Sequence, residues 1–412
     1  MMYKFSEKPL NKFRKIIMGT LIFYPVYSHA EKYEDKINEL SSEIIELKEI
    51  VAKQQQDFGE IIQAKSSSNN KSGVLFNFYG FIRADASYQF NGGNGIFNRI
   101  NKVDLDGISD NEDKFYSTLT TTRLGLDINS SKENQPISGK LEIDFRGGTN
   151  NDTIRIRHAY LDYNNFLIGQ TTSSFVDTDN HPQMLDFGSP LGIGSGRTPM
   201  LRYSNNLNSQ TKYFVGLEQG RTENRLPSLT SKLKYNYQNG NGSASLRGLA
   251  QEVRVKELND KTKFSWGLGL GTNYKLNNYF QINADYSHVK GDSNFILYTN
   301  SAYNYSENDE IINLNEFDSF TLGLTYKINP KLQSTLAYGA MFSNNNNKFS
   351  ETAISNNDTS QNKRLQQGWI NLMYSPIIPL TVGVEYIYGE RETFTGETGK
   401  DSRLSTMVKY SF

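Results

Sequence analysis

The segment Arg403–Phe412 alternates strictly between two kinds of side chain. Leu404, Thr406, Val408, Tyr410 and Phe412 fall on one face; Arg403, Ser405, Met407, Lys409 and Ser411 fall on the other. Successive side chains of a β-strand point to opposite faces, so this segment has an oily side and a wet side. Such a strand, ending in aromatics, suits one wall of a lipid-embedded barrel. Only helices and closed barrels cross a bilayer, because only they pair every backbone group internally. The constraint holds if the rest of the chain repeats the pattern.

Composition permits this and excludes the other membrane class. A spanning helix needs about 20 apolar residues, and the longest such run here is Ile16–Val26. Hydrophobic residues make up 36% and mean hydropathy is −0.60, which rules out a helical bundle. A barrel hides its hydrophobicity, since every second wall residue faces the lumen. The chain has 25 Tyr and 24 Phe but only 2 Trp; aromatics suit strands and interfacial girdles. A soluble all-β protein would share these numbers, so the decision falls to the connections.

The first 30 residues read as a secretory signal peptide: basic Met1–Lys15, apolar Ile16–Val26 and a small-x-small site at Ser28-His29-Ala30. Cleavage is expected after Ala30. Removing five Lys/Arg and one Glu from 44 of each leaves a net charge of −4. No basic stripe points to nucleic acid. The lack of cysteine fits export without disulfides.

Three zones follow. In residues 31–64, Ile37, Ile44, Val51 and Phe58 take heptad position a, and Leu40, Leu47 and Ile61 take d. This predicts a coiled coil of roughly four heptads, about 40 Å long, on the periplasmic side. Ile at a with Leu at d favours a dimer, whereas Ile45, Ile50 and Ile62 widen the seam towards a larger assembly. Residues 65–73, KSSSNNKSG, read as a flexible linker. Residues 74–412 read as a 16-stranded antiparallel transmembrane β-barrel. Its strands are expected near 75–88, 116–128, 138–146, 153–163, 166–171, 199–204, 211–219 and 229–238. The others are expected near 241–252, 263–275, 279–289, 317–328, 331–342, 363–374, 380–391 and 401–412. Short links (Asn164-Asn165, Asn239–Asn241, Leu276–Asn278, Asn329-Pro330, Ser375–Pro379) broadly alternate with long ones near 89–115, 172–198, 290–316, 343–362 and 392–400. Links at 129–137 and 205–210 are intermediate. Periplasmic turns and extracellular loops sort this way, and a soluble sandwich has no reason to.

Register fixes what faces the lumen, because a one-residue slip would put every charge in lipid. Over the first nine strands the inward basic residues are Arg83, Arg123, Lys140, Arg146, Arg155, Arg157, Arg202, Lys212, Lys232, Lys234 and Arg247. The inward acids are Asp85, Asp127, Glu142, Asp144 and Glu218. The later wall offers Gly267, Gly269, Gly271, Gly323 and Gly383, and reads as smooth and less charged. Cross-strand pairing uses up some of this charge, but the basic excess favours anions. Loop 171–198 carries Phe175, Met184, Leu185, Phe187, Leu191 and Ile193, too apolar for open water. It is expected to fold into the lumen, where Asp177, Asp179, His181 and Asp186 meet the basic wall. Asp177, Asp179 and His181 are also oxygen and imidazole donors, but no metal or other cofactor is expected. Four His without a nucleophile motif give no catalytic constellation.

Five stretches carry a family resemblance: YGFIRADASYQF (79–90), TTRLGLDI (121–128), GKLEIDFRGG (139–148), IRIRHAYLDYNNFLIGQTTSSFVD (154–177) and GSGRTPMLRYS (194–204). Together they resemble the DcaP-like trimeric porins of Gram-negative outer membranes. The resemblance implies a sixteen-stranded homotrimeric barrel in outer-membrane lipid, with a periplasmic coiled-coil extension. It further implies passage of small anionic solutes, dicarboxylates among them, past an arginine-rich constriction. On that analogy Arg83, Arg123, Arg155 and Arg157 form the constriction; Arg146, Arg202, Lys232, Lys234, Asp177 and Asp179 join them from the lumen reading. The alternative is a structural or adhesive outer-membrane protein that tethers the envelope through its coiled coil and presents Asn-rich surface loops such as 343–363.

Overall fold

The computed structural model describes Ser42 and residues 74–412, except 109–110, 131–136, 189, 239 and 306–310. The expected signal peptide and linker, the coiled coil apart from Ser42, and most of the 129–137 link lie outside the described residues.

Nine strands open the circuit: β1 (Val74–Asn91), β2 (Lys114–Thr118), β3 (Arg123–Ser130), β4 (Ile137–Gly147), β5 (Thr153–Tyr163), β6 (Phe166–Thr172), β7 (Arg197–Asn206), β8 (Thr211–Glu218) and β9 (Ser228–Asn236). Then come β10 (Gly242–Val255), β11 (Lys261–Lys275) and β12 (Phe280–Lys290). A small separate sheet, β13 (Tyr303–Tyr305) and β14 (Ile312–Leu314), sits in the next loop. The wall resumes with β15 (Glu316–Asn329), β16 (Leu332–Ser343), β17 (Asn362–Ile377), β18 (Leu380–Thr393) and β19 (Thr398–Ser411). Each wall strand pairs antiparallel with the next, and β19 returns to β1, from Phe81↔Ser411 to Asn91↔Ser402. Gly80 and Phe412 exchange two backbone hydrogen bonds of 3.0 Å at the seam. The barrel is therefore closed and has no edge strand.

One expected strand is interrupted. Residues 116–128 break at 119–122, where Thr122 N–H turns back to the Leu119 carbonyl at 3.1 Å. The Thr121 hydroxyl instead donates to Asp85 at 2.6 Å. Both pieces still pair with β1, β2 beside Asp85–Gln89 and β3 beside Val74–Phe81. They serve as one wall strand, and the barrel has sixteen.

Burial runs inside out along the wall. On β17, Asn371 is 3% exposed while its neighbour Leu372 is 41% exposed; the outside is apolar and the inside polar, as lipid requires. Aromatic rings line the short-turn end of the wall: Phe166, Tyr203 and Tyr213 touch in a tilted series, Tyr235, Tyr237 and Tyr274 meet edge to face, and Phe280 stacks on Tyr326. This is the girdle expected at one membrane interface.

The hydrophobic core lies within the barrel, towards the long-loop end. Ile100 and Val103 from the loop after β1, Phe175 and Leu191 from the loop after β6, and Phe295 and Ile296 from the loop after β12 are all buried there. They pack on Leu249, Val289, Phe317, Met341 and Leu365 of the wall. Each such side chain contributes about 1.5–3 kcal/mol on burial. Three loops are thus folded inwards and held. Among them only the one after β6 was expected from its composition to enter the lumen.

Candidate functional site

The loop after β6 crosses the lumen and is fastened along its length. The Ser174 N–H donates to Glu218 at 2.8 Å. Lys232 reaches the Val176 carbonyl at 3.1 Å, and Lys234 pairs with Asp179 and lies 3.7 Å from Asp177. Asn180 donates to Asp285 at 2.9 Å. Trp369 and Asn371 both donate to the Gln183 carbonyl, at 3.2 and 2.9 Å. The N–H groups of Leu185 and Asp186 meet the two Glu385 oxygens at 2.8 and 2.9 Å. Asp186 also pairs with Arg403, which holds Asp401 at 3.2 Å.

The glycines of the later wall explain how the loop fits. A Cβ on Gly323 would lie 2.5 Å from Pro182, on Gly383 2.9 Å from Leu185, and on Gly267 2.8 Å from Phe175. Gly271 leaves the same room for Asn180, and Gly339 for the Leu191 carbonyl. The expectation of a smooth, less charged wall is corrected here: the glycines face inwards, but the loop covers them. That wall is also charged: Asp285 binds Arg247 of β10 at 2.8 Å, fully buried, and Asp401 pairs with Arg403 on β19 at 3.2 Å. Arg247 is therefore sealed away from lumen water.

Opposite the loop stands a cluster on β3, β4 and β5. Arg155 grips Asp144 with two bonds of 2.9 and 2.7 Å. Arg157 bridges Glu142 and Asp144, both at 2.9 Å, and Arg123 lies 3.5 Å from Glu142. Three cations against two carboxylates leave an excess of one positive charge. A bulge near Glu142 lets Arg157 and His158 lie on adjacent positions while Ile156 and Leu161 both stay outside. Arg83 is nearly buried, bound to Asp85 at 2.6 Å and to the Leu185 carbonyl; it positions the loop. The tip of the loop completes the narrowing. The Phe187 ring lies 5.4 Å from the Arg83 guanidinium and 5.7 Å from those of Arg123 and Arg157. These are cation–π distances.

Between cluster and loop lies a water-accessible cavity of about 1170 Å³. Its lining includes Arg83, Arg99, Lys102, Arg123, Arg146, Arg155, Arg157 and Arg197, against one acid, Asp186. Of the expected residues, the cavity gathers Arg83, Arg123, Arg146, Arg155 and Arg157. Arg202, Lys232, Lys234, Asp177 and Asp179 lie outside it. Arg202 rests against Phe214 at 5.5 Å, and the other four sit where the first half of the loop is tied to β9. Sequence reasoning missed Arg99, Lys102 and Arg197. The first two belong to a long loop whose entry into the barrel had no alternating pattern to reveal it. Arg197 shares parity with the outward Leu201 and Tyr203, and lines the cavity only because it begins β7.

His181 is partly accessible to lumen water yet enclosed by loop and wall, with Nε2 3.0 Å from the Gly194 carbonyl. Desolvation holds its imidazole down to about 4; the Gly194 bond, Asp177 and Asp179 oppose this, and Arg247 adds to it. A depressed histidine binds fewer protons in the docked loop than when released. Docking is therefore strongest above the ordinary value of about 6.5 and weakens as pH falls towards 4. Current fluctuations of single channels are expected to grow between pH 7 and pH 4.5, and to grow less in His181→Asn. Equal growth in both would remove His181 from the account.

A closed sixteen-stranded barrel with a loop folded into a charged constriction defines a porin-type channel of the outer membrane. The sequence matches the family of DcaP outer membrane proteins over residues 35–412. The outer membrane channel DcaP of Acinetobacter baumannii is 41% identical, with 83% of this chain and 99% of that one covered and a TM-score of 0.78. The chain belongs to the DcaP outer membrane protein family; it is a channel protein and not an enzyme. Two more distant structures share the fold alone. The anion-selective porin of Comamonas acidovorans is 12% identical, with 82% of this chain and 100% of that one covered and a TM-score of 0.56. The trimer form of OmpT from Vibrio cholerae is 13% identical, with 83% and 100% covered and a TM-score of 0.53. A search of curated proteins returned no match.

Proposed function

We propose that the barrel is a passive channel biased towards small anions, dicarboxylates among them. One observation carries this: seven arginines and a lysine line the constriction cavity against a single acid. A passage lined by one sign raises the local concentration of counter-ions, and arginine forks match carboxylates. Conduction also needs release. Here Glu142 and Asp144 share the guanidinium groups of Arg123, Arg155 and Arg157, so an entering carboxylate meets a site that attracts it without sequestering it. Phe187 narrows the path and adds no charge that would bind the solute.

The working form is a homotrimer in the outer membrane of a Gram-negative bacterium. Signal peptide 1–30 directs export, coiled coil 31–64 stands in the periplasm, and 65–73 links it to the barrel. Family membership supports the trimer, and the heptad pattern supports the rod. Planar bilayers holding the purified protein under a potassium chloride gradient test the selectivity. The reversal potential is expected on the chloride side of zero. A potassium preference would refute the anion bias, and absence of conductance would refute the channel itself.

A further inference from the structure

A second cavity of about 460 Å³ opens beside the first. Gly196, Arg197 and Asn294 line both, so the two share a wall. Arg221 and Glu223, from the segment joining β8 to β9, line the smaller cavity. The Arg221 guanidinium lies 3.2 Å from Glu223, 3.4 Å from the Ser293 hydroxyl and 5.1 Å from the Tyr303 ring centroid. Its Nε is buried without a hydrogen-bond partner. Arg197 lines the larger cavity together with Arg123, Arg155 and Arg157.

We propose that this side cavity is a binding site for small dicarboxylates, one carboxylate meeting Arg221 and the other Arg197, from which the solute passes to the constriction. The proposal rests on the anion-biased reading and adds a place and an order to it. Two guanidinium groups face one carboxylate, so the cavity is positive. Its volume falls in the range of small-molecule sites, about 300–1,000 Å³. Glu223 is 41% exposed, and exposed ion pairs are weak; a solute carboxylate can take its place on Arg221. Arg197 lines both cavities and so presents its guanidinium to a solute in either. Arg155 and Arg157 line the larger cavity together with Arg197.

The test is the rate at which succinate, used as the probe, interrupts the chloride current of the full-length channel. Arg221→Gln is expected to cut the association rate from the long-loop side by about threefold or more. The rate from the turn side should fall far less, so that the loss is one-sided, and the channel should remain anion-selective because the constriction cavity keeps its seven arginines. Thr222→Asp keeps Arg221 and adds a negative charge at the exposed lip; it should give the same one-sided loss. Arg221→Lys should retain most of the wild-type rate. Unchanged rates in Arg221→Gln and Thr222→Asp, or equal losses from both sides, overturn the side cavity. A wild-type channel without anion preference would overturn the parent reading instead, and that measurement needs no variant.

Discussion

Replacing Arg155 and Arg157 together by alanine is expected to bring the anion preference of the channel close to neutrality. The cluster carries Arg123, Arg155 and Arg157 against Glu142 and Asp144. The double change turns an excess of one positive charge into an excess of one negative charge. Arg146, Arg197, Arg99 and Lys102 still line the cavity, so strong cation selectivity is not expected. The fold is affected too. The Asp144 side chain is fully buried and would lose all three guanidinium bonds. Leaving one partner of a buried pair costs about 3–5 kcal/mol; the low end applies, since Arg155 is itself 36% exposed. A second variant separates the effects: adding Asp144→Asn removes the stranded buried charge and should recover heat resistance on a gel. It leaves Arg123 against Glu142 with no positive excess and should not restore the wild-type preference. Reversal potentials in a salt gradient report the first quantity and heat-modifiable migration the second. An unchanged reversal potential in the double variant would place the selectivity elsewhere.

Most of the wall was legible because lipid outside and water inside impose a period of two on every strand. Arg155 and Arg157 could be placed together from that period alone. The break at 119–122 could not, because it depends on Thr121 turning to Asp85 across the sheet. The inward glycines were legible as inward but not as occupied. Gly323 has meaning only when Pro182 lies against it, and that contact joins residues 141 positions apart. Charge was hardest to read. Arg83 and Arg247 share the inward parity of Arg157, yet the first is spent on Asp85 and Leu185 and the second on Asp285. Whether an inward arginine faces water is decided by which loop covers it, and the loops carry no period.

The second large effect is expected from Arg403→Met, which should release the tip of the constriction loop. Arg403 is 1% exposed and lies between Asp186 of the loop and Asp401 of the wall, themselves 2% and 0% exposed. Glu385 is close by, accepting the Leu185 and Asp186 N–H groups. Methionine fills much of the space and removes the cation, leaving three nearly buried carboxylates. Such stranded charge costs about 3 kcal/mol or more. Asp401 is fixed in the ladder between β18 and β1 and receives Gln367 at 3.2 Å, so it cannot leave. Asp186 can, because apart from Arg403 its carboxylate is held by the N–H of Gly188 in the loop itself. Burial already raises the Asp186 carboxyl above the ordinary range even with Arg403 present, and a raised carboxyl pKa means that docking is favoured at low pH and lost as pH rises. The variant should therefore conduct more and fluctuate more at pH 8 than at pH 5, opposite in sign to the His181 effect. Adding Asp186→Asn should quiet it again. Wild-type conductance and noise in Arg403→Met at pH 8 would mean that the glycine cushions and the Gln183 bonds alone hold the loop.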